Sequence, residues 1–262
     1  MTEPLIRRHL RDGIVTLTLA SPGTLNALST AMLAALEDSF AAIATDDSVR
    51  VVILAAEGKA FSAGHDLREM QGFRSAPDAG SAGFQALFDR CAAVMQAIAA
   101  LPQPVIAQVQ GVATAAGCQL ACSADLIVAS EAARFGVNGI NLGLFCSTPA
   151  VALSRRLAPG MAFELLTTGD FLPAPRAHAL GVVNRLASPD QLDAETLALA
   201  HSIAAKDPAA IRLGKRAFQA QLGQPLPQAY ASAGAEMVTN ALFPQTNQGI
   251  QAFIDRKPGK PA

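Results

Sequence analysis

The chain has 262 residues, of which 51% are hydrophobic and 16% charged, and its 20 Lys+Arg against 21 Asp+Glu give a formal net charge of −1 at pH 7. That balance excludes a basic nucleic-acid surface and an acidic tail, and the length suits one large α/β domain, or a domain with an appendage, that needs no staples. So low a charge fraction leaves apolar surface beyond what one interior uses, so self-association is expected.

Along the chain, Leu5–Leu10 and Ile14–Leu19 are β-type runs joined by Asp12-Gly13, a pair suited to a hairpin turn with positive φ. Ser29 is placed to cap a helix to about Ala44, with Met32, Leu33, Leu36, Phe40 and Ile43 on one face. Val49–Ala55 reads as a buried strand, Gly58–Met70 as a loop entering a short helix, and the small-residue stretch Gly72–Gly83 as mobile surface. A long helix is predicted from Gly83 to Ala100, a strand over Pro104–Val109, a helix over Ala115–Ser123 and a strand over Leu126–Ala129. This alternation is the pattern of an α/β fold with parallel strands. Helices follow at Pro149–Leu157, Gly160–Thr167 and Ala174–Leu180, and the last sixty residues read as a helical appendage broken at Pro208 and Gln224-Pro-Leu-Pro.

Cys91, Cys118, Cys122 and Cys146 sit in apolar surroundings without CxxC pairing, so neither a disulfide framework nor a metal site is expected. The start of the chain carries Glu3 and no apolar h-region, which points to a cytoplasmic protein. The charge-free stretch Cys91–Ala124 is no membrane span, because Pro102 and Pro104 break it and Gln96, Gln103, Gln108, Gln110 and Gln119 are costly in lipid.

Two loops of small residues stand out. Phe61-Ser-Ala-Gly64-His65-Asp66-Leu feeds a helix, and Gly111-Val-Ala-Thr-Ala-Ala116-Gly117-Cys-Gln119-Leu ends a strand at a helix start. Each can aim unpaired backbone N–H groups at one point, with the helix dipole adding positive potential, which suits a developing oxyanion. Close packing is the competing reading, since Gly and Ala serve it equally well.

These loops, taken with Asn26-Ala-Leu-Ser, Val51-Val-Ile-Leu, Pro104-Val-Ile-Ala, Asp125, Ala132-Ala-Arg-Phe-Gly, Leu142-Gly-Leu, Leu166-Thr-Thr-Gly and Ala177-His-Ala-Leu-Gly-Val-Val-Asn, resemble the enoyl-CoA hydratase/isomerase (crotonase) family over nearly the whole chain. The stretch Gly143-Leu-Phe-Cys-Ser-Thr-Pro149 resembles one branch of it. The resemblance implies a crotonase-type spiral of ββα units over 1–200 and a helical oligomerisation region over 201–262 that completes the coenzyme A site. It further implies a lyase of fatty acid metabolism that binds an acyl-CoA thioester, needs no cofactor beyond the coenzyme A of its substrate, and forms a trimer or hexamer. The thioester oxygen would sit between the backbone N–H groups of His65 and Ala116. Ala27, Ser62, Ala63 and Asp66 would contact coenzyme A, largely through backbone atoms, and Lys257 its ribose phosphate.

Departures from the family carry as much information. A typical hydratase has glutamates at the positions of Gln119 and Gly139, and some relatives have a third acid near Ser147; all three are non-ionisable here. No Asp, Glu, His, Lys or Arg occurs from Phe135 through Ser154. General acid–base groups supply roughly 10²–10⁴-fold each, so hydration is expected to be crippled while an oxyanion hole worth about 2.7–4 kcal/mol per donor survives. Gly139 is further expected to resist replacement by Glu if its φ is positive. The His65 side chain is a candidate base, with packing against backbone as the alternative. Cys146, Ser147 and Thr148 either position an acyl group or cap the helix after Pro149. Three readings result: an acyl-CoA enzyme without the two-glutamate mechanism, a catalytically silent acyl-CoA-binding or regulatory protein, and a thioester hydrolase or decarboxylase.

Overall fold

The computed structural model describes residues 3–255. The chain divides into two compact units, Met1–Ala204 and Ala205–Ala262. The boundary expected at 200/201 falls inside a helix, Leu192–Ala204, and the first unit runs to that helix's end.

Ten strands lie in the first unit: β1 Ile6–Arg11, β2 Ile14–Leu19, β3 Val51–Ala56, β4 Ala60–Ser62, β5 Val105–Val109, β6 Val112–Thr114, β7 Leu126–Ser130, β8 Arg134–Gly136, β9 Phe171–Pro173 and β10 Arg185–Ala187. They form a six-stranded sheet in the order β1-β2-β3-β5-β7-β10 and a four-stranded sheet in the order β4-β6-β8-β9. The opening hairpin is antiparallel, and Asp12 (φ +52°) and Gly13 (φ +76°) give its turn the left-handed corner that its residues favour. All other pairings in the large sheet are parallel.

Each turn of the spiral contributes one long strand to the first sheet and one short strand to the second: β3 with β4, β5 with β6, β7 with β8. Periodicity did not reveal the second sheet, since three-residue strands are too short to alternate visibly. Successive turns approach at backbone distance. A side-chain carbon at Gly111, between β5 and β6, would lie 2.1 Å from the Lys59 carbonyl, so only glycine fits there.

The helices of this unit are α1 Thr30–Ala44, α2 Leu67–Phe73, α3 Ser81–Ala100, α4 Ala116–Ser123, α5 Ser147–Leu153, α6 Pro159–Thr168, α7 Ala174–Ala179 and α8 Leu192–Ala204. Ser29 caps α1, accepting from the Met32 N–H at 3.2 Å, and the five expected apolar residues are its buried face. Gly72–Gly83 is not one open loop. It holds the end of α2 and the start of α3, with turns between them closed by Asp78, whose carboxylate accepts from the N–H groups of Gly80 (3.0 Å) and Ala82 (2.8 Å). α5 starts two residues before Pro149 and stops at Leu153.

In the second unit, α9 Pro208–Gln221, α10 Leu226–Ala241 and α11 Pro244–Ile254 each begin with proline in the first turn, where its missing N–H costs nothing. Asp207 caps α9 through the Ala210 N–H at 2.8 Å. The large apolar residues Leu226, Tyr230, Met237, Val238, Leu242, Phe253 and Ile254 are exposed. Lys257 lies outside the described residues. Among the described residues no helix is long and apolar enough to cross a membrane.

Candidate functional site

The first small-residue loop is held by backbone bonds to the segment before α1. Ala63 N–H donates to Leu25 O at 3.0 Å, Leu28 N–H donates to Gly64 O at 2.7 Å, and Leu28 and His65 form a parallel bridge. Asn26, with φ +52°, is buried and ties three strands of chain together: its amide donates to Glu57 O and Ala60 O at 2.9 Å each and accepts from Ser21 N–H at 2.9 Å. Gly64 has φ +88°, a conformation open to glycine. Asp66 then caps α2, its carboxylate accepting from the Arg68 and Glu69 N–H groups at 2.8 and 3.2 Å.

β6 delivers the second loop. Ala115 takes φ +50°, ψ −124°, a corner that turns of type II′ normally give to glycine, and its N–H donates to Gly136 O at 2.9 Å. Helix α4 begins at the next residue, so Ala116 N–H is one of the first-turn donors without an intrahelical acceptor.

Glycines join the two loops. A Cβ on Gly64 would lie 3.1 Å from Ala116 N and 2.9 Å from the Ala115 methyl, and one on Gly117 would lie 2.3 Å from Ser62 O. Close packing and donor presentation are thus the same feature here: the glycines let one loop rest on the other, bringing the residue before His65 against Ala116. Among the described residues, the His65 and Ala116 amides donate to no acceptor in the chain. Two such donors with a helix N-terminus behind one of them are suited to polarising a carbonyl.

The His65 side chain is turned to structure. Nδ1 stands 3.1 Å from Leu28 O, and because a carbonyl only accepts, Nδ1 carries the proton. The ring meets Phe88 edge-on at 5.5 Å, and Nε2 is closed from solvent and unpartnered. Burial lowers the His65 pKa, outweighing the bond to Leu28 and the nearby Glu69 carboxylate, both of which raise it. A neutral ring with its lone pair covered fastens the loop; it is not a presented base.

In α4, Gln119 follows one turn after Ala116 and is only 4% exposed. Gly139 lies in a 3-10 turn, Asn138–Leu142, fixed to the second loop by Thr114 Oγ1 donating to Asn138 Oδ1 at 2.6 Å. Its φ is not positive, so the expected backbone obstacle is absent. Space is the obstacle instead: a Cβ would stand 2.6 Å from Leu144 O and 2.8 Å from Cys146 Sγ. Cys146 precedes α5 as its N-cap without capping through its side chain, and burial raises its pKa. Ser147 is exposed at the first position of α5, its hydroxyl 3.5 Å from Phe145 O. Cys118 is core, its thiol held protonated by the hydrogen bond with Cys122 and by burial.

The expected coenzyme A contacts divide. Ala27 and Ala63 are half-buried and keep surface at the loop. Ser62 is fully buried, its hydroxyl donating to Asn26 O at 2.8 Å, and it supports the loop from beneath. Asp66 is half-buried, its carboxylate is engaged in the cap and its carbonyl accepts from Met70 N–H at 3.0 Å.

Reading the sequence passed over Asn26 as an anchor, Ala115 as a left-handed corner, and Arg156. The guanidinium of Arg156 gathers the carbonyls of Cys122 (2.6 Å), Ala124 and Asp125 (3.3 Å) at the C-terminal end of α4, fixing the helix whose other end carries the Ala116 donor. An Asn beside a small-residue loop is a usable signal for a left-handed anchor; a lone Arg after an apolar helix gives none.

Comparison with known proteins bears on this geometry. The profile of the enoyl-CoA hydratase/isomerase family matches residues 9–260. The chain is 42% identical over 258 residues to mouse (Mus musculus) mitochondrial enoyl-CoA hydratase domain-containing protein 3, covering 98% of this chain and 84% of that protein. It is 40% identical over 255 residues to the human (Homo sapiens) protein of the same name, covering 97% and 82%. Among solved structures, an enoyl-CoA hydratase of Mycobacterium smegmatis superposes with a TM-score of 0.93 at 50% identity, covering 98% of this chain and 99% of that one. The human domain-containing protein 3 superposes with a TM-score of 0.91 at 38% identity, covering 98% and 100%.

Proposed function

Because this chain belongs to the enoyl-CoA hydratase/isomerase family, we propose that it binds an acyl-CoA thioester and polarises its carbonyl between the backbone N–H groups of His65 and Ala116. The observation that carries this reading is the seating of Gly64 against Ala116, 3.1 Å from a Gly64 Cβ position to Ala116 N, with both amides unpaired. Ala27, Ala63 and Asp66 are the coenzyme A contacts in this reading.

Hydration by two glutamates is not the chemistry proposed. Gln119 cannot exchange a proton at neutral pH, and the place a longer side chain would take at Gly139 is filled by the Leu144 carbonyl and the Cys146 thiol. That filling favours a second reading, a catalytically silent acyl-CoA binder, because the wall has been closed and not merely emptied of charge. Both readings share the site and part only at turnover.

Self-association into a trimer or hexamer belongs to the same proposal. It is supported by the exposed apolar residues of α10 and α11, since an uncovered set of this size is unusual on a soluble monomer.

A panel of short acyl-CoAs, assayed for calorimetric binding and for turnover in parallel, tests the reading. Thioesters should bind much more tightly than the matching free acids, and crotonyl-CoA should be hydrated at least roughly 10³-fold more slowly than by a two-glutamate relative alongside. Equal affinity for thioester and free acid refutes the coenzyme A site. Substantial turnover of any thioester removes the silent reading.

A further inference from the structure

The four cysteines are all free and buried, yet they do not share one environment. Burial pushes the Cys91 thiol up to about 12 and raises that of Cys146, while the hydrogen bond to Cys122, with burial, keeps Cys118 protonated. Cys122 runs the other way. The Cys118 S–H donates to it and the Arg156 guanidinium adds positive charge, and together they lower its pKa against the burial that would raise it.

Helix α4 sets the pair. Cys118 and Cys122 stand four residues apart, so both side chains lie on one face of the helix, one turn over the other. Arg156 is fixed beside them, its guanidinium donating to Cys122 O at 2.6 Å, to Ala124 O, and to Asp125 O at 3.3 Å. The Asp125 carboxylate accepts from Val105 N–H at 2.7 Å. Cysteine as core filler supplies only volume, and alanine or valine would supply it as well. A thiol that accepts a hydrogen bond from a second thiol, next to an anchored cation, is the arrangement that makes sulfur nucleophilic. Cys122 is 5% exposed and Cys118 1%, so the pair admits only a small reagent.

We propose that Cys122 and Cys118 form a peroxide-reactive site in which Cys122 attacks and Cys118 resolves. The Cys122 thiolate attacks one peroxide oxygen, the O–O bond breaks, and hydroxide leaves to take up a proton, so Cys122 becomes a sulfenic acid and one water is released. The Cys118 sulfur then attacks the sulfenic sulfur, the S–S bond forms, and its proton leaves with the hydroxide as a second water. The thiol pair is oxidised by two electrons and the peroxide is reduced to two waters. On a helix, Cβ atoms four residues apart are about 5–6 Å from each other, whereas a disulfide needs about 3.5–4.5 Å. The bond therefore pulls in the backbone of an eight-residue helix whose first residue is Ala116, and the Ala116 amide is displaced. That consequence for ligand rests on the acyl-CoA reading given above; the thiol chemistry stands apart from it.

Hydrogen peroxide added stepwise to the reduced full-length protein, followed by unfolding, iodoacetamide and peptide mapping with a cut after Leu120, tests the proposal. The wild type should lose two hydrogen atoms in mass, with Cys118 joined to Cys122 and with Cys91 and Cys146 still open to alkylation. Cys118→Ser should stop at the Cys122 sulfenic acid, captured by dimedone, and Cys122→Ser should leave Cys118 a thiol. Oxidised wild type should bind butyryl-CoA about 2- to 12-fold more weakly, the worth of one hydrogen bond, and dithiothreitol should restore the affinity. A bond to Cys91 or Cys146, or no bond at a peroxide dose that oxidises free cysteine, overturns the proposal. So does a Cys118→Ser protein whose Cys122 takes up no dimedone. Unchanged butyryl-CoA binding after oxidation overturns the coupling to Ala116. Failure of the reduced protein to bind butyryl-CoA overturns the acyl-CoA reading instead, and the peptide map still decides the thiol pair. Should Cys118→Ser not fold, the wild-type map decides alone.

Discussion

The two walls of the candidate site are built from different materials. Around His65 and Ala116 the chemistry is in the backbone: Gly64 at φ +88°, Ala115 at φ +50°, and two amides whose side chains matter little. Around Gln119 and Gly139 no side chain is ionisable, and the room for one at Gly139 is taken by the Leu144 carbonyl and the Cys146 thiol. Backbone donors depend on how loops pack, so they survive substitution as long as the glycines remain. Side-chain acids disappear with a single residue change. In the reading proposed above, carbonyl polarisation rests on packed backbone and proton transfer would rest on side chains, so the difference teaches how one could be kept while the other is lost.

The largest expected effect breaks the donor wall. Gly117→Ala would force a methyl to 2.3 Å from the Ser62 carbonyl, a backbone atom with no freedom to retreat. We expect a loss of about 3 kcal/mol or more in urea unfolding, with acyl-CoA binding abolished. An unfolding midpoint within error of wild type would show that the loops are not held as described.

Rebuilding the other wall should fail for a stated reason. Gln119→Glu plus Gly139→Glu restores both carboxylates on paper, but the second change must displace the Leu144 carbonyl 2.6 Å away. Gln119→Glu alone buries a carboxylate without a cation, raising its pKa and costing about 1–3 kcal/mol at neutral pH, less in acid. The double variant should therefore be less stable and gain little crotonyl-CoA hydration. A gain approaching a two-glutamate relative would mean that the wall opens more readily than its packing indicates.

A third test sharpens the contrast through pH. His65 has its folded-state pKa lowered by burial, so between that value and the ordinary histidine value near 6.5 the unfolded chain holds more protons than the folded one. The stability tied to neutral His65 is fully present above about pH 6.5 and is lost as pH falls through the lowered folded value. Melting at pH 7.5 and 5.5 should show a decline that His65→Phe reduces. A decline unchanged in the variant would assign the effect to other groups.

The smallest expected effect is a gain. Ala115→Gly places glycine in a corner suited to it, and we expect about 0.5–1 kcal/mol of added stability with acyl-CoA binding kept. Lower stability would show that the Ala115 methyl contributes more through packing than its φ costs.

Much of this molecule was legible in its residues. The long strands are unbroken apolar runs, as in Val51-Val-Ile-Leu, and α1 declares itself through Ser29 and the spacing of Met32, Leu33, Leu36, Phe40 and Ile43. The four strands of the second sheet were not, because three residues such as Val112–Thr114 carry no period and are held by neighbours distant in sequence. At the site, small residues marked both donor loops, while packing alone tells that His65 turns its ring to Leu28 and that Ser62 faces inward. Gly139 shows the limit most clearly: the family resemblance implies an acid at this position, and only the positions of Leu144 and Cys146 say that a side chain would not fit there.

Vibrational spectroscopy of a bound thioester reaches the central claim most directly. Butyryl-CoA labelled with ¹³C at the thioester carbonyl would be compared free and protein-bound by isotope-difference infrared. If the His65 and Ala116 amides hold the oxygen, the labelled band shifts to lower frequency on binding, as hydrogen-bonded carbonyls do. A bound thioester whose carbonyl band stays at its solution position would contradict the account, because the ligand would then be held without being polarised.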